Sequence, residues 1–314
     1  MSLQTIRNIT LSFVIALIFI PAYSQDLKPY LGRWDLTLKA ADHEYPSWLE
    51  LTESSGKLSA QFVGRWGNAR PLPKAEIADG MLTFVSPKEE EASKSDLVFQ
   101  GKLTGDTLSG TVNAPDGGTW SWTGKRAPSL KRTKEPTWGK PIKLFNGKDL
   151  AGWQMSDPNS KNPWKVVDGN LVSPTHGPEI INDRKFNDFK LHVEFNCADN
   201  SNSGVYLRGR YEVQVETNSI QEPPSHHMGG VYGFIAPNPE QRFANQWQTY
   251  DITLIGRTIT VAQNGKTIID HQEIPGITGG ALDSNEELPG PIYLQGSEDG
   301  HVMYRSIVLT PAKD

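Results

Sequence analysis

Glu212, Gln214 and Glu216 recur at a two-residue spacing in the second half of the chain. In an extended strand alternate side chains share a face, so these three point one way while Tyr211, Val213 and Val215 point the other. The preceding run, Asn202-Ser203-Gly204-Val205-Tyr206-Leu207-Arg208, turns near Gly209 and reads as the hairpin partner. By the same alternation it adds Asn202, Tyr206 and Arg208 to the polar face. Carboxylates, amides, a guanidinium and a phenol on neighbouring strands are what a sugar-binding cleft needs to hold hydroxyls and move protons. An exposed polar strand face is the plainer reading. The cost of burying charge without a purpose weighs against it.

His226 and His227 follow the loop Glu222-Pro223-Pro224-Ser225 and could supply an acid, a base or a metal ligand. Adjacent histidines rarely chelate one ion together, so at most one of them is expected to be a ligand. His176, in a Pro-Thr-His-Gly-Pro loop, and His192, on a strand among polar neighbours, read more simply as structural. Asp199-Asn200-Ser201-Asn202 carries oxygen ligands of the kind calcium takes. Asn and Asp also dominate turns, and a turn is the expectation there.

The elements that must position these groups are strands. Between Asp26 and about Ala127 the runs Gly32–Lys39, Ser47–Glu53, Lys57–Val63, Met81–Ser86, Leu97–Leu103, Thr107–Val112 and Thr119–Arg126 alternate or are β-rich. Turn signals such as Ser54-Ser55-Gly56 and Ala78-Asp79-Gly80 separate them. Closely spaced antiparallel strands of this kind predict a small barrel or meander. Its tryptophans, Trp34, Trp48, Trp66, Trp120 and Trp122, are expected to be mostly core rather than a sugar platform. Glu89-Glu90-Glu91 reads as a solvated loop. Residues 128–140, with Pro128, Pro136 and no apolar period, read as a linker. Beyond it, Phe189–Asn196 alternates strongly, and Asp168-Gly169 and Asn264-Gly265 are hairpin tips whose residue types tolerate positive φ. One helical turn is expected within residues 237–248. The fold class is all-β: a C-terminal antiparallel β-sandwich over 141–314, preceded by a small barrel or meander over 25–127.

Composition sets bounds. The 314 residues suffice for two domains, and a net charge of -5 without a long basic run argues against nucleic acid as a partner. Cys197 is the single cysteine, which rules out an intrachain disulfide and a Cys-rich metal site. Met1–Ser24 has the pattern of a secretory leader: Arg7, the apolar run Leu11–Ile20, Pro21, then Ala22-Tyr23-Ser24. Ten apolar residues fall short of the roughly 20 that span a bilayer. The expectation is cleavage near Gln25, export to the periplasm or beyond, and no stable membrane anchor in the mature chain. The sequence carries no signal for oligomeric state.

Nine segments in order carry a family likeness. They are Leu144-Phe145-Asn146-Gly147-Lys148-Asp149-Leu150-x-Gly152-Trp153, Trp164-x-Val166-x-Asp168-Gly169-x-Leu171, Asp188-Phe189-x-Leu191-x-Val193-Glu194-Phe195, Asn202-Ser203-Gly204-Val205-Tyr206-x-Arg208, Tyr211-Glu212-Val213-Gln214, Gly230-Val231-Tyr232-Gly233, Trp247-x-Thr249-Tyr250, Val261-x-x-Asn264-Gly265 and Gly290-Pro291-Ile292-x-Leu294-Gln295. Residues of about 141–311 thereby resemble the 3-keto-disaccharide hydrolase family, whose fold is similar to the concanavalin-like lectin and glucanase jelly roll. Glu216 stands where the family pattern has an aspartate.

The resemblance implies cleavage of oxidised glycosides, either by C2 proton abstraction and elimination at C1 followed by hydration, or by hydrolysis. Such a site needs a base, an electrophile for the enolate oxygen and an acid for the leaving oxygen. On that implication Glu212 or Glu216 is the base, Arg208 or a metal ion meets the enolate, and His227 or His226 supplies an acid, a base or a ligand. Tyr206, Gln214, Asn202, Tyr232, Trp247 and Gln295 are the candidate sugar-binding residues. A divalent ion, calcium or a transition metal, is the candidate cofactor, with His226 and Glu216 as candidate ligands. No organic cofactor is called for.

Two rival readings stand beside this one. Glu212-x-Gln214-x-Glu216 also resembles the Glu-x-Asp-x-Glu strand of laminarinase-type glycosidases, which implies an ordinary endo-β-glucanase, with Gln214 in place of the middle acid. The same sandwich could also serve as a non-catalytic, lectin-like module.

Overall fold

Strands make up nearly all the regular structure of the computed structural model, which describes residues 26–313 apart from 66, 116, 174–175, 218–221 and 299. The leader over Met1–Ser24, its cleavage point at Gln25, and Trp66 lie outside the described residues. Among those described, two single 3-10 turns, Lys28–Tyr30 and Pro224–His226, are the only helical elements. No helix there is long and apolar enough to cross a membrane.

Nine antiparallel strands from Gly32–Lys39 to Thr119–Arg126 form one sheet. The two ends of its strand order, Arg70–Pro71 and Lys74–Ala78, are neighbours in the chain, so the sheet wraps round on itself as a barrel. Alternate residues point inward: Leu82 and Phe84 on one strand, Leu97 and Phe99 on the next. The rings of Phe84 and Phe99 stack at 4.4 Å, with Phe62 and Trp122 edge-on around them. Trp34 and Trp122 are core as expected, and Trp120 is 9% exposed. Trp48 leaves the barrel altogether and packs into the core of the second unit, edge-on to Phe234 at 5.3 Å.

The second unit is a sandwich of two antiparallel sheets, a jelly roll. One sheet runs, in spatial order, Lys165–Val167, Asn170–Ser173, Val302–Pro311, Phe189–Cys197, Trp247–Ile255, Thr258–Gln263 and Lys266–Glu273. The other runs Trp153–Met155, Ile180–Phe186, Gly290–Leu294, Asn202–Leu207 and Tyr211–Glu216. Phe189, Leu191, Val193 and Phe195 from the first meet Val205, Leu207, Val213 and Val215 from the second, all nearly inaccessible. This is the period-two pattern of the sequence turned into a core. The Asp168-Gly169 and Asn264-Gly265 tips adopt the expected positive φ angles, 49° and 78°, and 51° and 77°.

Two expectations fail, each for a local reason. Residues 237–246 form no helix, because Pro237 and Pro239 remove donors a helical turn would use. Glu91 is not solvated. It is 5% exposed, paired with Arg70 and bonded to Ser86 Oγ at 2.7 Å. The 128–140 stretch is irregular but not free. Arg132 holds Asp188 at 2.7 Å, Arg257 donates to the Pro128 carbonyl, and Leu130 is buried.

Candidate active site

The hairpin pairs Tyr206 with Glu212, Gly204 with Gln214 and Asn202 with Glu216, so these side chains lie in one row across two strands. Tyr211–Glu216 is the last strand of its sheet. Residues 229–232 take its free edge: Gly229 N–H donates to the Gln214 carbonyl, Gln214 N–H to Gly230 and Tyr232 N–H to Glu212. A covered edge satisfies the backbone, and here it also carries Tyr232 and His226 to the polar row.

Two adjoining hollows open over that row. The smaller, about 140 Å³, is lined by Tyr206, Glu212, Gln295, Gly279 and Gly280. The larger, about 710 Å³, is lined by Asp199, Glu216, Glu222 and His226. Asn202, Gln214, Tyr232 and Glu298 belong to both.

Glu212 is 3% exposed. The Tyr206 hydroxyl lies 2.9 Å from its Oε2 and 2.8 Å from the Gly279 carbonyl. A carbonyl only accepts and a phenol has one proton to give. When that proton goes to Gly279, the bond to Glu212 holds only if the carboxyl is itself protonated and donates. Electrostatics point the same way. Burial raises the carboxyl pKa most, the Tyr206 hydrogen bond offsets part of the rise, the Glu298 charge adds to it, and the result is about 8. Gly280 makes the close approach possible: its φ is +74°, and a Cβ there would stand 2.5 Å from the Tyr206 oxygen. Tyr293 stacks on the other side of Tyr206 at 4.2 Å.

The 3-10 turn Pro224–His226 sends the two histidines apart. His226 lines the larger hollow with its ring 4.4 Å from that of Tyr232. Its Nδ1 is 3.2 Å from Glu222, and its buried Nε2 has no partner among the described residues. Burial lowers its pKa below the usual 6.5, against the pull of Glu222, so near pH 7 Nε2 can accept a proton. Two titratable groups with pKa values pushed in opposite directions are the arrangement by which sites separate acid from base. Glu216 is ion-paired with Arg242 at 3.3 Å.

Three of the residues expected in the site are elsewhere. Arg208 is 1% exposed on the opposite side of the sheet, where it donates to the Tyr211 hydroxyl at 2.9 Å and the Gly256 carbonyl at 3.0 Å. The strand ends at Leu207, and Arg208, at φ +53°, begins the hairpin turn, so the alternation rule no longer applies to it. His227 turns into its own loop, donating from Nε2 to the Glu222 carbonyl at 2.9 Å with Nδ1 2.8 Å from Glu240. Trp247 stands on the outer face of the other sheet under Arg305, 4.4 Å from its ring centroid. There Glu194 links Arg305 to His192. Glu298, Arg242 and the Gly279-Gly280 turn were not singled out. They reach the row from distant loops, and only the Gly-Gly pair is a local hint of close backbone approach. Among the described residues no three His, Cys, Asp or Glu side chains gather as a metal-ligand set, while His226 and Glu216 both line the larger hollow.

A model of the 3-keto-alpha-glucoside-1,2-lyase-like domain matches residues 140–310. Among solved structures, two putative glycosyl hydrolases from Parabacteroides distasonis ATCC 8503 align over 55% of this chain. They are 18% and 22% identical, cover 94% and 98% of their own lengths, and give TM-scores of 0.45 and 0.42. A Bacillus licheniformis beta-glucanase aligns over 58% of this chain and 100% of its own, at 14% identity and a TM-score of 0.33. No curated protein matches the chain.

Proposed function

The chain belongs to the 3-keto-alpha-glucoside-1,2-lyase-like domain family, and from that membership we propose a carbohydrate-active enzyme that cleaves 3-keto-glycosides by α-proton abstraction. A ketone at C3 acidifies the C2 proton. His226 Nε2 takes that proton, and the electron pair moves into an enolate. As the C3 carbonyl re-forms, a C1=C2 double bond appears and the C1–O bond breaks. Glu212 gives its proton to the departing oxygen. Water then adds across C1=C2: Glu212 takes a proton from the water and protonated His226 returns one to C2. The balance is hydrolysis, and release before hydration gives the lyase product. With Arg208 buried elsewhere, the donors that line the smaller hollow and could meet the C3 oxygen are the amides of Asn202, Gln214 and Gln295 and the phenol of Tyr232. Export, expected from the leader-like first residues, belongs to the same proposal.

The observation that carries this reading is the buried carboxyl of Glu212, facing a polar hollow with its phenol neighbour able to spend its proton on a backbone carbonyl. Incubating the purified protein with a 3-keto-disaccharide should release the free alcohol or sugar. Glu212→Gln should lower the rate on the order of 100-fold or more, the usual worth of a positioned acid. Wild-type protein that leaves the keto-disaccharide intact, or a Glu212→Gln variant as fast as wild type, contradicts the assignment. A lectin-like role would instead leave binding without turnover.

A further inference from the structure

Among the described residues the barrel lends no side chain to either hollow, yet one of its loops ends against the site. The Gly280 N–H donates to the Arg65 carbonyl at 3.2 Å. Asn68 and Ala69 lie so close to Gly233, the residue after Tyr232, that a Cβ there would stand 2.7 Å from Asn68 Cβ. The 278–280 turn that this loop supports is itself tied to the acid: Thr278 Oγ1 accepts from the Glu212 N–H at 3.1 Å, and Gly279 receives the Tyr206 hydroxyl.

The loop is held more firmly than a connector needs to be. The Arg65 guanidinium lies over the rings of Tyr45 and Trp120, at 5.2 and 5.3 Å, and reaches the Glu91 carbonyl at 3.4 Å. At its other end Arg70 is buried on Glu91 and on Ser86 Oγ, and also reaches the Asn68 carbonyl at 3.4 Å. A buried ion pair is weak evidence for stability, because desolvation costs as much as the pair returns. Fixing one geometry is the better account of it here.

We propose that Arg65, with Asn68, Ala69 and Arg70 of the barrel, is a positioning element for the Glu212 acid: through the Arg65 carbonyl it holds the Gly279-Gly280 turn where the Gly279 carbonyl keeps the Tyr206 proton and leaves Glu212 as the donor. This rests on the acid role given to Glu212 above. If the Gly279 carbonyl recedes, the Tyr206 proton turns to Glu212 and favours its carboxylate. The site then keeps every catalytic side chain and loses its acid.

Arg65→Ala tests this with little risk to the fold, since a part-exposed cation over rings contributes only modestly to stability. The Glu212 carboxyl is titrated by 13C NMR, assigned with Glu212→Gln, in wild type, Arg65→Ala and Arg65→Lys. The midpoint should drop by about one unit or more in Arg65→Ala, as expected when a hydrogen bond shifts to the charged form, and recover toward wild type in Arg65→Lys. Rates on keto-glycosides with poorly leaving alcohols should fall about tenfold, part of the usual worth of a general acid. Rates with an activated aryl leaving group should change little. If Arg65→Ala does not fold, Glu91→Gln should lower the same midpoint. An unchanged midpoint, or equal losses on both leaving groups, overturns the proposal. The titration needs no substrate, so wild type that cleaves no keto-glycoside would sink the proposed function while the titration still decides the loop's role.

Discussion

A carboxyl group and an imidazole share this site, and burial moves them in opposite directions, Glu212 up to about 8 and His226 below 6.5. The acid must be protonated and the base must not. The rate of cleavage should therefore rise through a pKa below 6.5, stay level, and fall through about 8. Glu212→Gln should remove the alkaline limb and His226→Ala the acid limb, both read from kcat/KM against pH. Glu212 also leaves a mark on stability. Its folded pKa lies above the unfolded value near 4.5, so its contribution is intact below pH 4.5 and is lost as pH rises through 8. Glu212→Gln should gain on wild type by a few kcal/mol over that window in urea titrations. A constant difference at pH 4 and pH 8 would argue against a buried, protonated Glu212.

At the scale of the element, the hairpin 202–216 shows where period-two reading works and where it stops. Tyr206, Glu212, Gln214 and Glu216 share a face as alternation demands, but alternation is a property of extended backbone only. At Arg208 the chain enters a turn with φ +53°, and the guanidinium goes to the Tyr211–Glu286–Arg257 network instead. A buried cation with fixed partners predicts a structural phenotype. Arg208→Met should cost about 3–5 kcal/mol of stability, the usual price of breaking a buried charged network. The rate per folded molecule should be unchanged, read by thermal unfolding beside initial rates. The choice between His226 and His227 was equally closed to periodicity, since a three-residue 3-10 turn has no repeat to read. Glu298 and Glu91 come from loops remote in sequence, and no local pattern marks which carboxylate of a run will be buried.

At the scale of the molecule, two β units meet along a seam that the sequence does not announce. Trp48 and Val63 read as ordinary barrel-strand residues, yet they fill the sandwich core. Asp35 of the barrel is 5% exposed and feels the charge of Glu286 from the sandwich. Burial first, and then the Glu286 charge, raise its pKa to about 9, with Arg257 opposing. Its folded pKa exceeds the unfolded value near 3.8, so the pair's contribution is whole at low pH and lost as pH rises through 9. Asp35→Asn should therefore flatten the fall in unfolding free energy between pH 6 and pH 9. A wild-type protein equally stable across that range would show that Asp35 is not held protonated at the seam.

The most direct measurement follows the hydrogen at C2. A 3-keto-glycoside carrying deuterium at C2, cleaved by wild-type protein in ordinary water, should react more slowly than the unlabelled compound and lose to solvent the share of label that exchanges from His226 before the return step. Cleavage with the deuterium fully retained and no isotope effect would contradict the account.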